Sequence, residues 1–340
     1  MFEDYYGNCA VVEALEQMLE SGRIPQTILL AGLEGAGKAT LARRFAAKLM
    51  GHADLIEKDD LSRPENLDTI AEREKWPADK RNDDPLLFAS YADFVTFAPD
   101  GPLRQISIPQ MRLLKERAQF KPLKGSRRVF LIDQIDRAGE QAANSLLKTL
   151  EEPPDHLILF LTATNPYDLL PTIRSRAVLL HLGPLGDEEM RRFAASRQLA
   201  EASRRIELAQ GSPGLSVSID LEVYDRRRAA MLTLLEVAAG AAPFAAWVKY
   251  AESGASRQEK LEPLLRTLYS LLEDMLRIQH GGGAIRNAEV REQLAALAER
   301  VSFAWMRKAV AKVDELSELV RRNIQKNIAL DAMIVELRAA

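Results

Sequence analysis

The chain has 340 residues, of which 47% are apolar, 28% charged and 6% aromatic, and its formal net charge is −3. This length favours two or three domains, with a core that is stable without a disulfide or a metal. The near-neutral charge excludes a globally basic nucleic-acid coat protein, and the single cysteine, Cys9, excludes a disulfide framework and a cysteine-based zinc site. With no run of 18 apolar residues and an acidic, polar start, we expect a cytoplasmic protein without a membrane span or a signal peptide.

Residues 1–183 alternate between helical and strand-like patterns, which favours a parallel α/β sheet covered by helices on both faces. The predicted strands are short apolar runs, as is typical of parallel strands that are buried on both sides. In chain order we predict a helix at 11–19, a strand at 27–31, a helix at 40–50, a strand at 93–97, a helix at 109–119, a strand at 129–133, a helix at 141–150, and strands at 157–162 and 178–182.

The remaining segments differ in character. Seventeen of the 35 residues at 51–85 are charged, and three prolines interrupt them, which predicts a solvated and partly disordered insertion. Residues 184–220 form a small helical unit, which ends in the sequence Gly-Ser-Pro-Gly at 211–214. Residues 221–340 show helical periodicity, broken by glycines near 282, and predict an all-helical domain.

A phosphate-loop pattern follows the strand at 27–31. Residues Gly32 to Lys38 match G-x-x-x-x-G-K, and the pattern stands between a predicted strand and a predicted helix, as it should. In such a loop the backbone N–H groups around Gly35 and Gly37 surround phosphate groups, and Lys38 adds a point charge. The sequence therefore predicts a phosphate loop of nucleotide-binding ancestry.

The residue after this pattern departs from it. A serine or threonine hydroxyl normally binds Mg²⁺ there, but this chain has Ala39. Thr40 comes one position late, and because a helix turns by about 100° per residue, its hydroxyl should point elsewhere. We expect a degenerate site that holds Mg²⁺ poorly, and the sequence leaves open whether ATP or ADP binds without efficient hydrolysis or does not bind at all.

The apolar strand at 129–133 ends in Asp133, which is the Walker B pattern for a carboxylate that binds Mg²⁺ through water. The alternative is that Asp133 only caps the end of the strand. The next residue of active oligomeric ATPases is usually a glutamate that polarises water, and here it is Gln134, which cannot act as a base. At the end of the strand at 157–162, Thr162, Thr164 and Asn165 either orient water or form a plain turn.

Ser175 and Arg176 follow a short apolar stretch. A single arginine is usually a solvated charge or an ion-pair partner. Arginine also acts as a finger that stabilises a transferring phosphoryl group, in cis or in trans. Position in the sequence alone does not choose between these roles.

Several motifs together resemble one family. The run at 144–154, NSLLKTLEEPP, is similar to the N-x-LLK-x-LEEPP run of bacterial clamp loaders, and 169–176, LLPTIRSR, resembles the stretch that leads into their Ser-Arg-Cys motif. Residues 22–25, 106–108 with Arg112, 209–214 and 323–337 fit the same family in order. The chain thus resembles the AAA+ clamp-loader subunits of bacterial DNA polymerase III over nearly its whole length.

This resemblance implies an architecture and a set of partners. It implies an α/β P-loop AAA+ core with a parallel sheet flanked by helices at 1–183, a helical lid at 184–220 and an all-α collar for oligomerisation at 221–340. Five such subunits, including γ/τ motors and δ, form an open ring that uses ATP to place a sliding clamp on primed DNA. By the same resemblance, Arg176 is a finger supplied in trans, with Ser175 beside it.

Departures from the family pattern favour one type of subunit. Ala177 replaces the cysteine of the Ser-Arg-Cys motif, 51–85 stands where many members carry a four-cysteine zinc module, and the Gly-Ser of the lid lacks the following arginine. With Ala39 and Gln134, these changes favour the hydrolysis-poor δ′ type, with no required cofactor, no zinc and no polymerase active site. The alternatives are an ATP-hydrolysing γ/τ-type motor and a stand-alone AAA+ nucleic-acid adaptor.

Overall fold

The computed structural model describes residues 2, 4–252, 259–282, 285–320 and 324–339. The chain divides into two compact units. One unit contains Met1–Ala200 and Gly211–Leu215, and the other contains Glu201–Gln210 and Ser216–Ala340. The residues of the expected lid, 184–220, are thus shared between the two units, and the three-part division into core, lid and collar stays a prediction.

The first unit is built on a six-stranded sheet in the order β2-β3-β4-β5-β1-β6. Strands β1, β3, β4, β5 and β6 are parallel, and only β2 runs antiparallel to its neighbour β3. The parallel α/β sheet is therefore as predicted, whereas β2 was not predicted because its short sequence is largely exposed. The strands are β1 Thr27–Gly32, β2 Phe88–Tyr91, β3 Phe94–Phe97, β4 Arg128–Ile132, β5 Leu157–Ala163 and β6 Val178–Leu182.

Helices cover both faces of this sheet because alternate residues of the central strands point to opposite sides. Leu29, Phe130 and Leu159 share one apolar cluster, while Ile28, Leu131 and Phe160 share another. Helices α6 and α7 pack on the first cluster, and α1 and α2 on the second. The helices of this unit are α1 Cys9–Ser21, α2 Lys38–Met50, α3 Ala53–Ile56, α4 Pro64–Arg73, α5 Ala78–Asp83, α6 Ile108–Ala118, α7 Glu140–Glu151, α8 Pro171–Arg174 and α9 Asp187–Ser196.

The prediction of a partly disordered insertion at 51–85 is wrong, because these residues fold into α3, α4, α5 and a short 3₁₀ turn. Ile70 packs with Leu86 and Ala98 in a small apolar cluster. The guanidinium of Arg73 is buried and donates to both carboxylate oxygens of Asp100, at 3.1 and 2.8 Å. High charge did not prevent folding here, since the buried Arg73 is paired with a carboxylate of opposite sign.

The second unit is helical throughout its described residues, as predicted for 221–340. Its core is a single apolar cluster that includes Leu268, Met275 and Ala309. Trp247 is fully buried, and its indole N–H donates to Asp331 at 2.6 Å. The remaining helices are α10 Ala202–Ala209, α12 Leu221–Ala238, α13 Phe244–Ala251, α14 Leu261–Gln279, α15 Arg291–Arg300, α16 Phe303–Val320 and α17 Lys326–Arg338. Helix α11, Pro213–Ser218, begins in the first unit and ends in the second. The predicted last helix at 323–337 corresponds to α17, and Asn323 lies outside the described residues.

Across the described ranges, none of the helices combines the length and the apolar character that crossing a membrane requires.

Candidate nucleotide site and exposed arginine

The carboxyl ends of three neighbouring strands bring the predicted nucleotide-binding residues together. Gly32 ends β1, Asp133 follows β4, and Thr162 lies near the end of β5, between the other two strands. The Thr162 hydroxyl donates to Asp133 Oδ1 at 2.6 Å and accepts the backbone N–H of Gln134 at 2.8 Å. Thr162 therefore holds the Asp133 carboxylate and fixes the backbone that follows it.

Left-handed backbone at the loop glycines turns the chain sharply from β1 into α2. Gly35 has a φ of 75° and Gly37 a φ of 88°, values that glycine adopts without strain. A Cβ atom on Gly32 would lie 2.2 Å from the carbonyl oxygen of Leu182, so no larger residue fits there. Within the described residues the N–H groups of Gly35 and Gly37 have no hydrogen-bond partner, so this loop offers donors to an anion.

Two segments of the same unit cover the loop. The Tyr5 hydroxyl donates to the carbonyl of Ala36 at 3.1 Å. From the other side, the Ser212 hydroxyl donates to the carbonyl of Glu34 at 2.7 Å, and the N–H of Gly214 donates to the carbonyl of Gly35 at 2.8 Å. These contacts hold the loop through its carbonyl groups and leave its N–H groups for a phosphate.

Lys38 and Asp133 are both largely buried in this site. The Lys38 ammonium donates to the carbonyls of Gly32 and Leu33, both at 2.6 Å. Burial lowers the pKa of Lys38, and the nearby charge of Asp133 opposes this shift. Burial raises the pKa of Asp133, which the hydrogen bond from Thr162 and the charge of Lys38 oppose. In both residues the loss of water outweighs the attraction between the opposite charges.

The two residues that depart from the sequence patterns of a phosphate loop and a Walker B strand are Ala39 and Gln134. Ala39 is partly buried and packs against the apolar cluster beneath α2. The Thr40 hydroxyl accepts a hydrogen bond from Arg43 at 3.4 Å, and Arg43 is itself buried and paired with Glu57. Gln134 has a left-handed backbone, with φ 54°. Ala39 thus supplies no hydroxyl for Mg²⁺, and Gln134 supplies no base.

Of the two alternatives for the end of β5, the structure shows the turn. Asn165 caps a turn, since its side chain accepts the N–H of Tyr167 at 3.0 Å. The backbone N–H of Thr164 donates to Asp136 at 3.3 Å. Of the three polar residues, Thr162 is thus the one that contacts Asp133.

Arg176 and Ser175 are not part of this cluster. They follow α8 and precede β6, in which Val178 pairs with Ile28 and Leu182 pairs with Gly32. The four residue steps from Val178 to Leu182 span about 13 Å along the strand. Arg176 therefore lies at the amino ends of the strands, at the edge of the sheet opposite to its own phosphate loop.

The side chain of Arg176 is one-third exposed, and its guanidinium is held on two sides. Nη2 donates to Glu151 Oε1 at 2.7 Å, and Nη1 donates to the carbonyl of Thr172 at 2.9 Å. The Ser175 hydroxyl donates to the same carbonyl at 3.2 Å. Arg176 is thus an oriented cation near the surface.

Sequence reasoning missed the contacts of Tyr5, Ser212 and Glu151. Glu151 and Ser212 stood in motifs but had no assigned role, and nothing in the sequence marked Tyr5. Where the structure describes the chain, no three side chains of histidine, cysteine, aspartate or glutamate converge as metal ligands would.

The parallel sheet, the phosphate loop after β1 and the aspartate after β4, which β5 separates from β1, define a P-loop α/β protein. The family model described as "DNA polymerase III, delta subunit" matches residues 7–186, and "DNA polymerase III, delta subunit, C terminal" matches residues 224–338. The chain therefore belongs to the DNA polymerase III delta-subunit family, and the resemblance seen in the sequence is confirmed.

Curated relatives include more than one type of subunit. DNA polymerase III subunit delta′ of Escherichia coli is 28% identical, over 67% of this chain and 68% of the relative. Subunit tau of Escherichia coli is 31% identical over 56% of this chain, which spans only 26% of the tau protein. Subunit gamma of Buchnera aphidicola is 26% identical, over 97% of this chain and 73% of the relative. These similarities define the family and do not distinguish delta′ from gamma or tau.

Proposed function

We propose that this chain is a δ′-like subunit of a DNA polymerase III clamp loader, which acts in the cytoplasm during DNA replication. In this role it is a hydrolysis-poor scaffold that lends Arg176 to the ATP site of a neighbouring subunit. The observation that carries the proposal is the register of β6 with β1. This register separates Arg176 from its own phosphate loop by the length of a strand. An oriented arginine that cannot reach its own site is suited to act in trans.

The chain's own site supports a role without efficient hydrolysis. Ala39 offers no hydroxyl to Mg²⁺, and Gln134 offers no base. A nucleotide bound here would supply a phosphate group to the N–H donors of Gly35 and Gly37. Such a site would bind the nucleotide but would not activate water.

The proposed partners are the other clamp-loader subunits. We infer a hetero-pentameric ring that contains γ/τ motor subunits and δ, with the sliding clamp and primed DNA bound through the assembled complex. The near-neutral charge of the chain, −3, is compatible with a subunit whose main contacts are with proteins.

An ATP-hydrolysing γ/τ-type motor is the second candidate, because tau of Escherichia coli is as similar to this chain as delta′ is. The two candidates differ in what the isolated chain does with ATP. ATP turnover of the purified chain, measured with Mg²⁺, should be at background, and Lys38→Ala should not change it. Turnover that is well above background and is lost in Lys38→Ala would overturn the proposal in favour of the motor.

A further inference from the structure

Arg176 forms an ion pair with Glu151, which lies at an unfavourable position in its helix. Glu151 is the last residue of α7, and a negative charge is unfavourable at the C-terminal end of a helix dipole. Its carboxylate accepts Nη2 of Arg176 at 2.7 Å. The cation offsets the unfavourable charge, and the carboxylate in turn fixes one side of the guanidinium.

The apolar core sets the distance between these two residues. Leu150, next to Glu151, belongs to the same buried cluster as Leu169 and Ile173, which lie just before Arg176. Both backbones are therefore anchored in one core, and the ion pair joins two fixed segments. Such a pair orients a side chain at less entropic cost than a pair between mobile loops.

The contacts restrain the guanidinium but leave part of it available. Nη1 is held by the Thr172 carbonyl and Nη2 by Glu151, whereas Nε makes no hydrogen bond to any residue the structure describes. The side chains of Arg176 and Glu151 are 33% and 49% exposed. A half-exposed ion pair is weak, so it can align the arginine without withholding it from a phosphate group.

We propose that Glu151 is the positioning residue for Arg176. This inference rests on the proposed function, since it assigns to Glu151 the orientation of the guanidinium that the neighbouring ATP site receives. Glu151 itself does not contact the nucleotide. It reduces the conformational freedom of Arg176 before the neighbouring site closes on it.

Hydrolysis by the complex, reconstituted from the full chain and its partner subunits with clamp and primed DNA, tests this role. Glu151→Ala should slow hydrolysis at the adjacent site about fivefold, which matches the loss of one exposed ion pair, with KM for ATP unchanged. Glu151→Gln keeps an oxygen that accepts Nη2, so it should recover much of the rate. Glu152→Ala, which removes the neighbouring carboxylate, is the matched control and should leave the rate unchanged.

A double-mutant comparison separates positioning from a general structural effect. In an Arg176→Ala background, Glu151→Ala should have no further effect on the rate. Three outcomes would overturn the positioning role alone. These are that Glu151→Ala slows hydrolysis equally in both backgrounds, that it speeds hydrolysis, or that it leaves the rate unchanged while Arg176→Ala slows it. An Arg176→Ala complex that hydrolyses ATP at the normal rate would overturn both the positioning role and the proposed function.

Discussion

Asp133 shows at the scale of one residue how the site balances charge against burial. Burial raises the pKa of its carboxyl, and the hydrogen bond from Thr162 and the charges of Lys38 and Arg43 only partly oppose this. Its pKa in the folded chain is therefore above the value of about 3.9 that applies to an unfolded chain. Between the two values the folded state binds more protons, so the contribution of this group to the free energy of unfolding falls as pH rises through that window.

Asp133→Asn should remove this decline, because an amide oxygen still accepts the Thr162 hydroxyl but carries no charge. We expect the melting temperature of the variant, relative to the unmodified chain, to increase as pH is raised from about 4. Thermal denaturation across a pH series measures the difference. Asp155→Asn, at an exposed position, is the control, and a constant difference for Asp133→Asn at all pH values would contradict the prediction.

Gly35 is the residue at which the phosphate loop meets the segment that covers it. A Cβ atom there would lie 2.4 Å from Ser212 Oγ and 2.7 Å from the N–H nitrogen of Leu215. Gly51 has nearly the same φ, 77° against 75°, but a Cβ atom on it would have no neighbour within 4 Å among the described residues. The two glycines therefore separate the cost of backbone strain from the cost of crowding.

Gly51→Ala should lower the free energy of unfolding by about 1–2 kcal/mol through its left-handed backbone. Gly35→Ala should cost about 1–3 kcal/mol more, since the methyl group must displace Ser212 and Leu215. Chemical denaturation of the two variants gives the comparison. Equal losses would mean that residues 212–215 do not pack on the loop as described.

At the scale of elements, the local pattern of apolar residues predicted the buried strands and the helices that cover them. The apolar runs that became β1, β4 and β5 are continuous because helices cover both faces of the sheet. The sequence pattern gave a wrong prediction for 51–85, because it does not show that Arg73 and Asp100 form an ion pair inside the fold. The two residues are 27 positions apart, and no periodicity indicates such a pair. It also could not place Arg176 relative to the phosphate loop, since that depends on the register of β6 with β1. The motif residues were found from sequence, but their contacts were not.

The ion pair between Arg73 and Asp100 should be a main source of order in 51–85. Arg73→Leu leaves the Asp100 carboxylate buried without its partner, and we expect a loss of about 3–5 kcal/mol in the free energy of unfolding. The exposed pair between Arg63 and Glu65 in the same segment provides the control, and Arg63→Ala should change the free energy of unfolding far less than Arg73→Leu does. If the two variants unfold at the same denaturant concentration, the buried pair does not stabilise the segment.

At the scale of the whole molecule, the phosphate loop and Arg176 lie at opposite edges of one sheet. The phosphate loop and Asp133 lie at the carboxyl ends of the strands, and Arg176 lies at their amino ends. Arg176 is therefore remote from the phosphate loop of its own chain. In our proposal a neighbouring subunit supplies the catalytic loop, and this chain supplies the arginine.

The most direct test is rapid-quench hydrolysis of ATP by the reconstituted complex with Arg176→Ala in this subunit. The proposed function predicts that the amplitude of the fast phase falls by the contribution of one ATP site. The reason is that an arginine finger contributes about 10³–10⁵ to the rate at its site in the best cases. Arg174→Ala is the matched control, since Arg174 is two residues away and stacks on Tyr167 at 4.9 Å. An unchanged fast phase in Arg176→Ala, or an equal loss in Arg174→Ala, would contradict the assignment of Arg176 as a finger in trans.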